Sequence, residues 1–135
     1  MLPGEHLARH RLADLFLDTL PYNAHTTASD ALWTGLPVLT QIGQTFAGRV
    51  AASLLNAIGL SEFITHSPQE YEALAIDLAL NHEKLFLIRE KLAKNRMTTP
   101  LFDTALFTRH MEAAYTAIYQ RHQAGLPPDY IEIQP

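Results

Sequence analysis

Asn23-Ala24-His25-Thr26-Thr27-Ala28-Ser29-Asp30-Ala31-Leu32-Trp33 is the stretch whose reading decides the fold. Upstream, Leu15-Phe16-Leu17-Asp18-Thr19 reads as a short buried strand that stops at a polar residue. Downstream, Ala28, Ala31, Leu32 and Leu36 recur at helical spacing. A strand therefore turns into a helix here, with a His and two hydroxyls at the turn. The first N–H groups of a helix have no intrahelical acceptor, and the helix dipole adds positive potential at the same end. Thr26 and Thr27 bring hydroxyl donors to that place, so an anion such as a phosphate is the guest it suits.

Outward from the turn, short strands are expected at about 15–18, 37–40 and 62–65, separated by helices. Pro37 is tolerable at a strand start. A helix is expected from about Thr45, with Phe46, Val50, Leu54, Leu55 and Ile58 on its apolar face and Gly59 at its end. Ser67-Pro68-Gln69-Glu70 has a cap residue, a first-turn Pro and a Glu three residues after the cap, which predicts a helix to about Leu80. Asn81-His82 marks a break before a further helix to Asn95 or Arg96, and Asp103 caps a last long helix ending before Gly125. Met1-Leu2-Pro3-Gly4 reads as a loop and Asp129–Pro135 as an irregular tail.

The β-α-β-α-β-α order implies parallel strands, and such sheets bind ligands beyond the carboxyl ends of their strands. The expected ligand edge is 18–27 and 41–46, which contains the His-Thr-Thr turn. Three strands are few for this architecture and leave exposed edges.

Composition narrows the class. The 135 residues are 47% apolar and 18% charged, enough for one globular domain with a core. A net charge of −4 without a basic run argues against nucleic acid or an acidic membrane as the main partner. There is no cysteine, so nothing points to a disulfide-built secreted scaffold, and a reducing cytoplasm is the expected compartment. No apolar stretch reaches the ~20 residues that span a bilayer.

His25-Thr26-Thr27-x-x-Asp30-x-Leu32-Trp33-x-Gly35-x-Pro37 resembles the nucleotide-sugar motif of the O-linked N-acetylglucosamine transferase family, which includes bacterial relatives and SPINDLY-type plant proteins. Glu5-His6-x-x-Arg9, Leu12-Ala13-Asp14, Leu17-Asp18-Thr19, Arg49-Val50-Ala51-Ala52-Ser53, Gln69-Glu70-Tyr71-Glu72 and Pro100-Leu101-Phe102 extend the resemblance in order over nearly the whole chain. It implies an α/β fold: the C-terminal half of a Rossmann-like domain of a glycosyltransferase-B fold, with few short parallel strands and a helix-rich C-terminus. On that reading residues 1–125 are the domain portion and 126–135 a tail, and Met1 is a start placed inside a longer protein.

The resemblance places Thr26, Thr27 and their amides on the diphosphate of a uridine-diphosphate sugar, with His25 beside the same phosphates. It gives Asp30 to the ribose hydroxyls, His6 to the uracil by stacking, and Arg9 to the neighbouring loop or the nucleotide. Relatives carry a Lys near the ribose just upstream, and Met1-Leu2-Pro3-Gly4 has none.

Each residue also has a plainer reading. Thr27-Ala28-Ser29-Asp30 fits a capping box by itself. His25 could be a solvated loop residue, and Asp30 a carboxylate favoured by the helix dipole. His6 and Arg9 could be an exposed pair on one helical face. Asp18 and Thr19 could only close the first strand and pin the next loop. Thr45 reads best as a cap, and Arg49 as the partner of a nearby carboxylate. Trp33 and the Tyr115/Ile118/Tyr119 stripe read as core. The seven His lack a metal-ligand pattern, since Glu5 does not complete one with His6 and His10. Ser29 and Ser53 lack nucleophile-elbow glycines.

The expected activity of the parent protein is inverting transfer of N-acetylglucosamine from the uridine-diphosphate sugar to a protein Ser or Thr hydroxyl, with no cofactor and no metal. A protein or peptide acceptor would be held by regions upstream of Met1, so the 135-residue chain itself is expected to be inactive, with no catalytic residue of its own. Two alternatives stay open: the same fold with another donor sugar (fucose or glucose), or a non-catalytic helical module. The last helix (Leu106, Met111, Tyr115, Ile118) offers an exposed face for a lost domain or an oligomer contact.

Overall fold

The computed structural model describes residues 2–133. Among them the order is α1 (Pro3–Ala8), β1 (Phe16–Leu17), α2 (Thr26–Thr34), β2 (Val38–Gln41), α3 (Val50–Ala57), β3 (Ile64–Thr65), α4 (Pro68–Leu80), α5 (His82–Asn95) and α6 (Thr104–Gln123), with 3-10 turns at Arg9–Leu12, Ser61–Phe63 and Pro100–Phe102. Contacts divide the chain into two compact units, Met1–Leu101 and Phe102–Pro135.

The first unit holds a parallel sheet of order β1-β2-β3. Phe16 pairs with Val38 and Leu17 with Leu39, while Thr40 pairs with Ile64 and Gln41 with Thr65. The central strand is apolar on both faces because helices α2, α3 and α4 all pack on it. Val38 and Leu39 are fully buried, together with Ala31 and Leu32 of α2 and Ala51 and Leu55 of α3. Leu78, Leu85 and Leu92 line the α4–α5 part of the core. Each of these large side chains contributes about 1.5–3 kcal/mol of burial. β1 lies at the sheet edge, and its Leu17 is exposed.

Local signals explain the ends of the elements. Ser67 accepts from the Glu70 amide while the Glu70 carboxylate accepts from the His66 amide, so α4 starts on a reciprocal cap. Asn81 caps α5 by accepting from Lys84 N–H, and Asp103 caps α6 by accepting from Leu106 N–H. α2 stops at Gly35, whose φ of 89° is left-handed and whose N–H bonds back to the Ala31 and Leu32 carbonyls.

Four expectations need correcting. Pro3 and Gly4 are helical, because a Pro is well placed at the start of a helix; Met1 lies outside the described residues. The second long helix begins at Val50, not near Thr45. Residues 43–48 form a loop closed by Gly43 N–H to the Gly48 carbonyl at 2.6 Å, an approach in which a Cβ on Gly43 would lie 3.3 Å from Gly48 backbone. Two glycines thus trade helix for a tight loop. Trp33 is 46% exposed, with Arg96 over its ring at 5.6 Å, so it is a surface cation–π partner instead of core.

The fourth concerns the second unit. α6 buries none of its residues, and Phe107, Tyr115, Ile118 and Tyr119 are all more than half exposed, so the aromatic stripe is surface. Arg121 holds the following segment by donating to the Pro127 carbonyl and the Asp129 carboxylate. Residues 126–133 are irregular, and Gln134 and Pro135 of the expected tail lie outside the described residues.

Candidate nucleotide-sugar site

The carboxyl ends of β1 and β2 carry two loops, 18–25 and 42–49, that lead into α2 and α3. Asp18 organises the first. It is 4% exposed; its Oδ1 accepts from Ala24 N–H at 2.7 Å and its Oδ2 from the Thr40 hydroxyl at 2.6 Å. Its backbone carbonyl accepts from the Tyr71 hydroxyl of α4 at 2.8 Å. Burial, and secondly the Asp18 charge, raise the Tyr71 pKa above its ordinary value of 10.0. The strand-closing role read for Asp18 is therefore what the geometry provides.

The second loop is bonded to the first. Asn23, 1% exposed, donates its N–H to the Ala47 carbonyl at 3.0 Å and its amide to the Thr19 carbonyl at 3.2 Å. Its Oδ1 has no partner among the described residues. Thr45 accepts from Gly48 N–H, so it caps a turn inside the loop and not the helix expected there. Arg49 is exposed at the N-cap of α3 and pairs with no carboxylate among the described residues, contrary to the expectation from sequence.

α2 starts between these loops with His25 at its N-cap and no side-chain cap. The capping-box reading of Thr27 does not hold: the helix begins at Thr26, so Thr27 already lies inside its first turn. The Thr26 and Thr27 side chains are exposed and have no hydrogen-bond partner among the described residues. The amides of Thr26, Thr27 and Ala28 are likewise unpaired there, as the first turn of an uncapped helix requires. Three amides and two hydroxyls are thus unpaired donors at the positive end of a helix dipole, although Ala28 itself is buried. The His25 ring stacks on Tyr22 (centroids 4.8 Å apart) and meets the edge of Phe46 (6.1 Å).

One turn along α2, the Asp30 Oδ2 meets His6 Nε2 of α1 at 3.1 Å, with their side chains 30% and 24% exposed. Asp30 lies outside the first turn, and this pairing replaces the dipole interaction considered for it. Its Oδ1 has no hydrogen bond among the described residues. The His6 ring also meets the buried His10 edge-on at 5.1 Å. Five of the residues singled out in the sequence, His6, His25, Thr26, Thr27 and Asp30, thus gather at α2. Arg9 has no bond to them: α1 continues into a 3-10 turn at this residue, so the helical run expected over 5–12 is present, but no hydrogen bond or ion pair of Arg9 with His6 or α2 is seen among the described residues. Arg9 is exposed beside the outer edge of β1, with no hydrogen bond to the group among the described residues. Tyr22, Asn23 and Phe46 were not legible as site residues; the aromatic residue three before His25 was the available signal for Tyr22. The described residues contain no cluster of three His, Asp or Glu fit to hold a metal.

The family model for glycosyl transferase family 41 matches residues 3–111. The chain belongs to glycosyl transferase family 41. It is 40% identical over 98% of its length to the Arabidopsis thaliana protein named "Probable UDP-N-acetylglucosamine--peptide N-acetylglucosaminyltransferase SEC", of which it covers 14%. It is 38% identical over 94% of its length to the UDP-N-acetylglucosamine–peptide N-acetylglucosaminyltransferase of Caenorhabditis elegans, covering 11% of that protein. The solved structure of a mutant O-GlcNAc transferase from Thermobaculum terrenum superposes with a TM-score of 0.80 at 37% identity, over 85% of this chain and 22% of that one. The family 41 chain is thus an α/β piece of a glycosyltransferase-B fold and spans about a seventh of its curated relatives' length. No helix among the described residues is long and apolar enough to cross a membrane.

Proposed function

We propose that this chain is the part of a protein O-glycosyltransferase that holds the uridine diphosphate of its donor. The observation that carries the proposal is the open start of α2 in a family 41 chain. Unpaired amides and the exposed Thr26 and Thr27 hydroxyls meet there at the carboxyl edge of a parallel sheet. An anion placed there would accept from fixed donors that need no reorganisation. His25 stands beside it as a further donor. The unbonded Asp30 Oδ1 is an acceptor for a ribose hydroxyl, and His6, held by Asp30 Oδ2, would present its ring to the base.

The reaction this serves is transfer of N-acetylglucosamine, the sugar in the names of both enzymes compared above. The acceptor Ser or Thr oxygen attacks the anomeric carbon and gives up its hydroxyl proton to a base of the whole protein or to the leaving group, the bond from that carbon to the diphosphate oxygen breaks, and the diphosphate leaves with the electron pair. The α2 donors would stabilise the charge growing on that leaving group. The acceptor and its binding regions belong to the whole protein.

Calorimetric titration with uridine diphosphate tests the site, with and without a chelator. The expected result is chelator-insensitive binding, weakened about tenfold or more by Thr26→Ala/Thr27→Ala, because hydrogen bonds to a charged group are lost. Unchanged affinity in the double variant would defeat the assignment, as would no binding by the folded wild type.

A further inference from the structure

Phe46 is 82% exposed, yet its ring edge meets a ring of the proposed diphosphate site. Exposure to that degree removes core burial as the reason for an aromatic side chain at this place. Its loop is costly to build, since Gly43 and Gly48 must approach within a hydrogen bond whose geometry leaves little room for side chains. Asn23 N–H then fastens the Ala47 carbonyl to the first loop, which fixes the residue next to Phe46 against the segment that carries His25. Tyr22, 66% exposed, stacks on the same imidazole with an interplanar angle of 20°.

His25 has little else to hold it. Its Nε2 lies 3.5 Å from the Ala47 carbonyl, the outer limit of a hydrogen bond, and its backbone sits at a helix N-cap with φ −104° and ψ −92°. A ring held by one long hydrogen bond would swing about its side-chain torsions. A stacked contact with Tyr22 and a perpendicular one with Phe46 restrict that swing.

We infer that Phe46, acting with Tyr22, is a positioning residue that holds the His25 imidazole toward the leaving diphosphate. The inference rests on the proposed nucleotide site but adds a role for a residue of the second loop. Phe46 itself donates nothing to an anion; it acts only through the His25 ring. Tyr22 and Phe46 together clamp that ring from two loops tied by one backbone bond.

Imidazole NMR signals of His25, with uridine diphosphate as the probe ligand, separate this inference from the reading beneath it. In Phe46→Ala the His25 ring protons should lose their ring-current displacement, and the dissociation constant for uridine diphosphate should rise about three- to tenfold. Phe46→Tyr keeps the ring and should restore both. In a His25→Ala background Phe46→Ala should cost nothing more. The inference is overturned if the His25 signals are the same in Phe46→Ala as in wild type. It is also overturned if Phe46→Tyr binds as weakly as Phe46→Ala, or if the loss persists without His25. Failure of wild type to bind the probe overturns the nucleotide site and with it this role, while the ring signals still report whether the clamp exists.

Discussion

α2 and α4 both follow a strand of the same parallel sheet, and their starts are built in opposite ways. α4 caps its own N-terminus: Ser67 accepts from the Glu70 amide of the first turn, and the Glu70 carboxylate holds the His66 amide just before the cap. α2 has the residue types for a plug and does not use them, leaving its first amides and the Thr26 and Thr27 hydroxyls without partners. The difference teaches that the position of a Ser or Thr decides its role. Ser67 sits at the N-cap with extended backbone (φ −145°, ψ 157°), where its oxygen faces the amides of the first turn. Thr26 and Thr27 lie one and two residues past the N-cap position, inside the helix, and their hydroxyls make no bond to those amides. One start is closed by its own side chains, and the other is left open.

The largest expected effect breaks the scaffold under the open start. Asp18→Ala removes the acceptor of Ala24 N–H and of the Thr40 hydroxyl in a buried place, so it should cost about 2–4 kcal/mol in urea unfolding. If the loss stays under about 1 kcal/mol, the loop before α2 is held by something other than Asp18. Next come the closed starts. Ser67→Ala, Asn81→Ala and Asp103→Ala should each cost about 1 kcal/mol by the same measurement.

The open start should behave in the reverse manner. Thr26→Ala/Thr27→Ala should change stability by no more than about 0.5 kcal/mol while lowering affinity for uridine diphosphate. A loss as large as that of Ser67→Ala would show that these hydroxyls cap after all and erase the contrast between the two helices. The smallest effect is alkaline. The folded chain holds the Tyr71 proton more tightly than the unfolded chain, because its pKa is raised from 10.0. Stability from this group is therefore intact below about pH 10 and is lost as pH climbs through the raised folded value. In Tyr71→Phe the alkaline limb of a denaturation series should flatten; an unchanged limb would assign it to other groups.

Much of the frame was legible because its signals are local. The Ser67-Pro68-x-Glu70 start, the Asn81 break and the Asp103 cap each depend on residues within four positions. The alternation of strands and helices gave the parallel sheet, and the ordered motifs gave the family, which the matched residues and the superposition bear out. What the reading missed depends on contacts distant in sequence. Phe46 fell at helical spacing with Val50, but its segment is a loop whose Ala47 carbonyl is held by Asn23, far away in the sequence. The His6–Asp30 pair spans 24 positions, so local pattern could nominate both residues without joining them. The α6 stripe has the spacing of a core face, and spacing alone does not say whether anything covers it.

The bond from Asn23 N–H to the Ala47 carbonyl has a consequence for how this edge can be re-engineered or can drift. It makes 18–25 and 42–49 one inheritable unit although Tyr22 and Phe46 lie 24 positions apart in the sequence. A change at Tyr22 will have a different effect depending on what stands at 46, so libraries that randomise one loop at a time will sample mostly incompatible halves. Variants of this edge should be sought by varying positions 22 and 46 together, with Asn23 held constant.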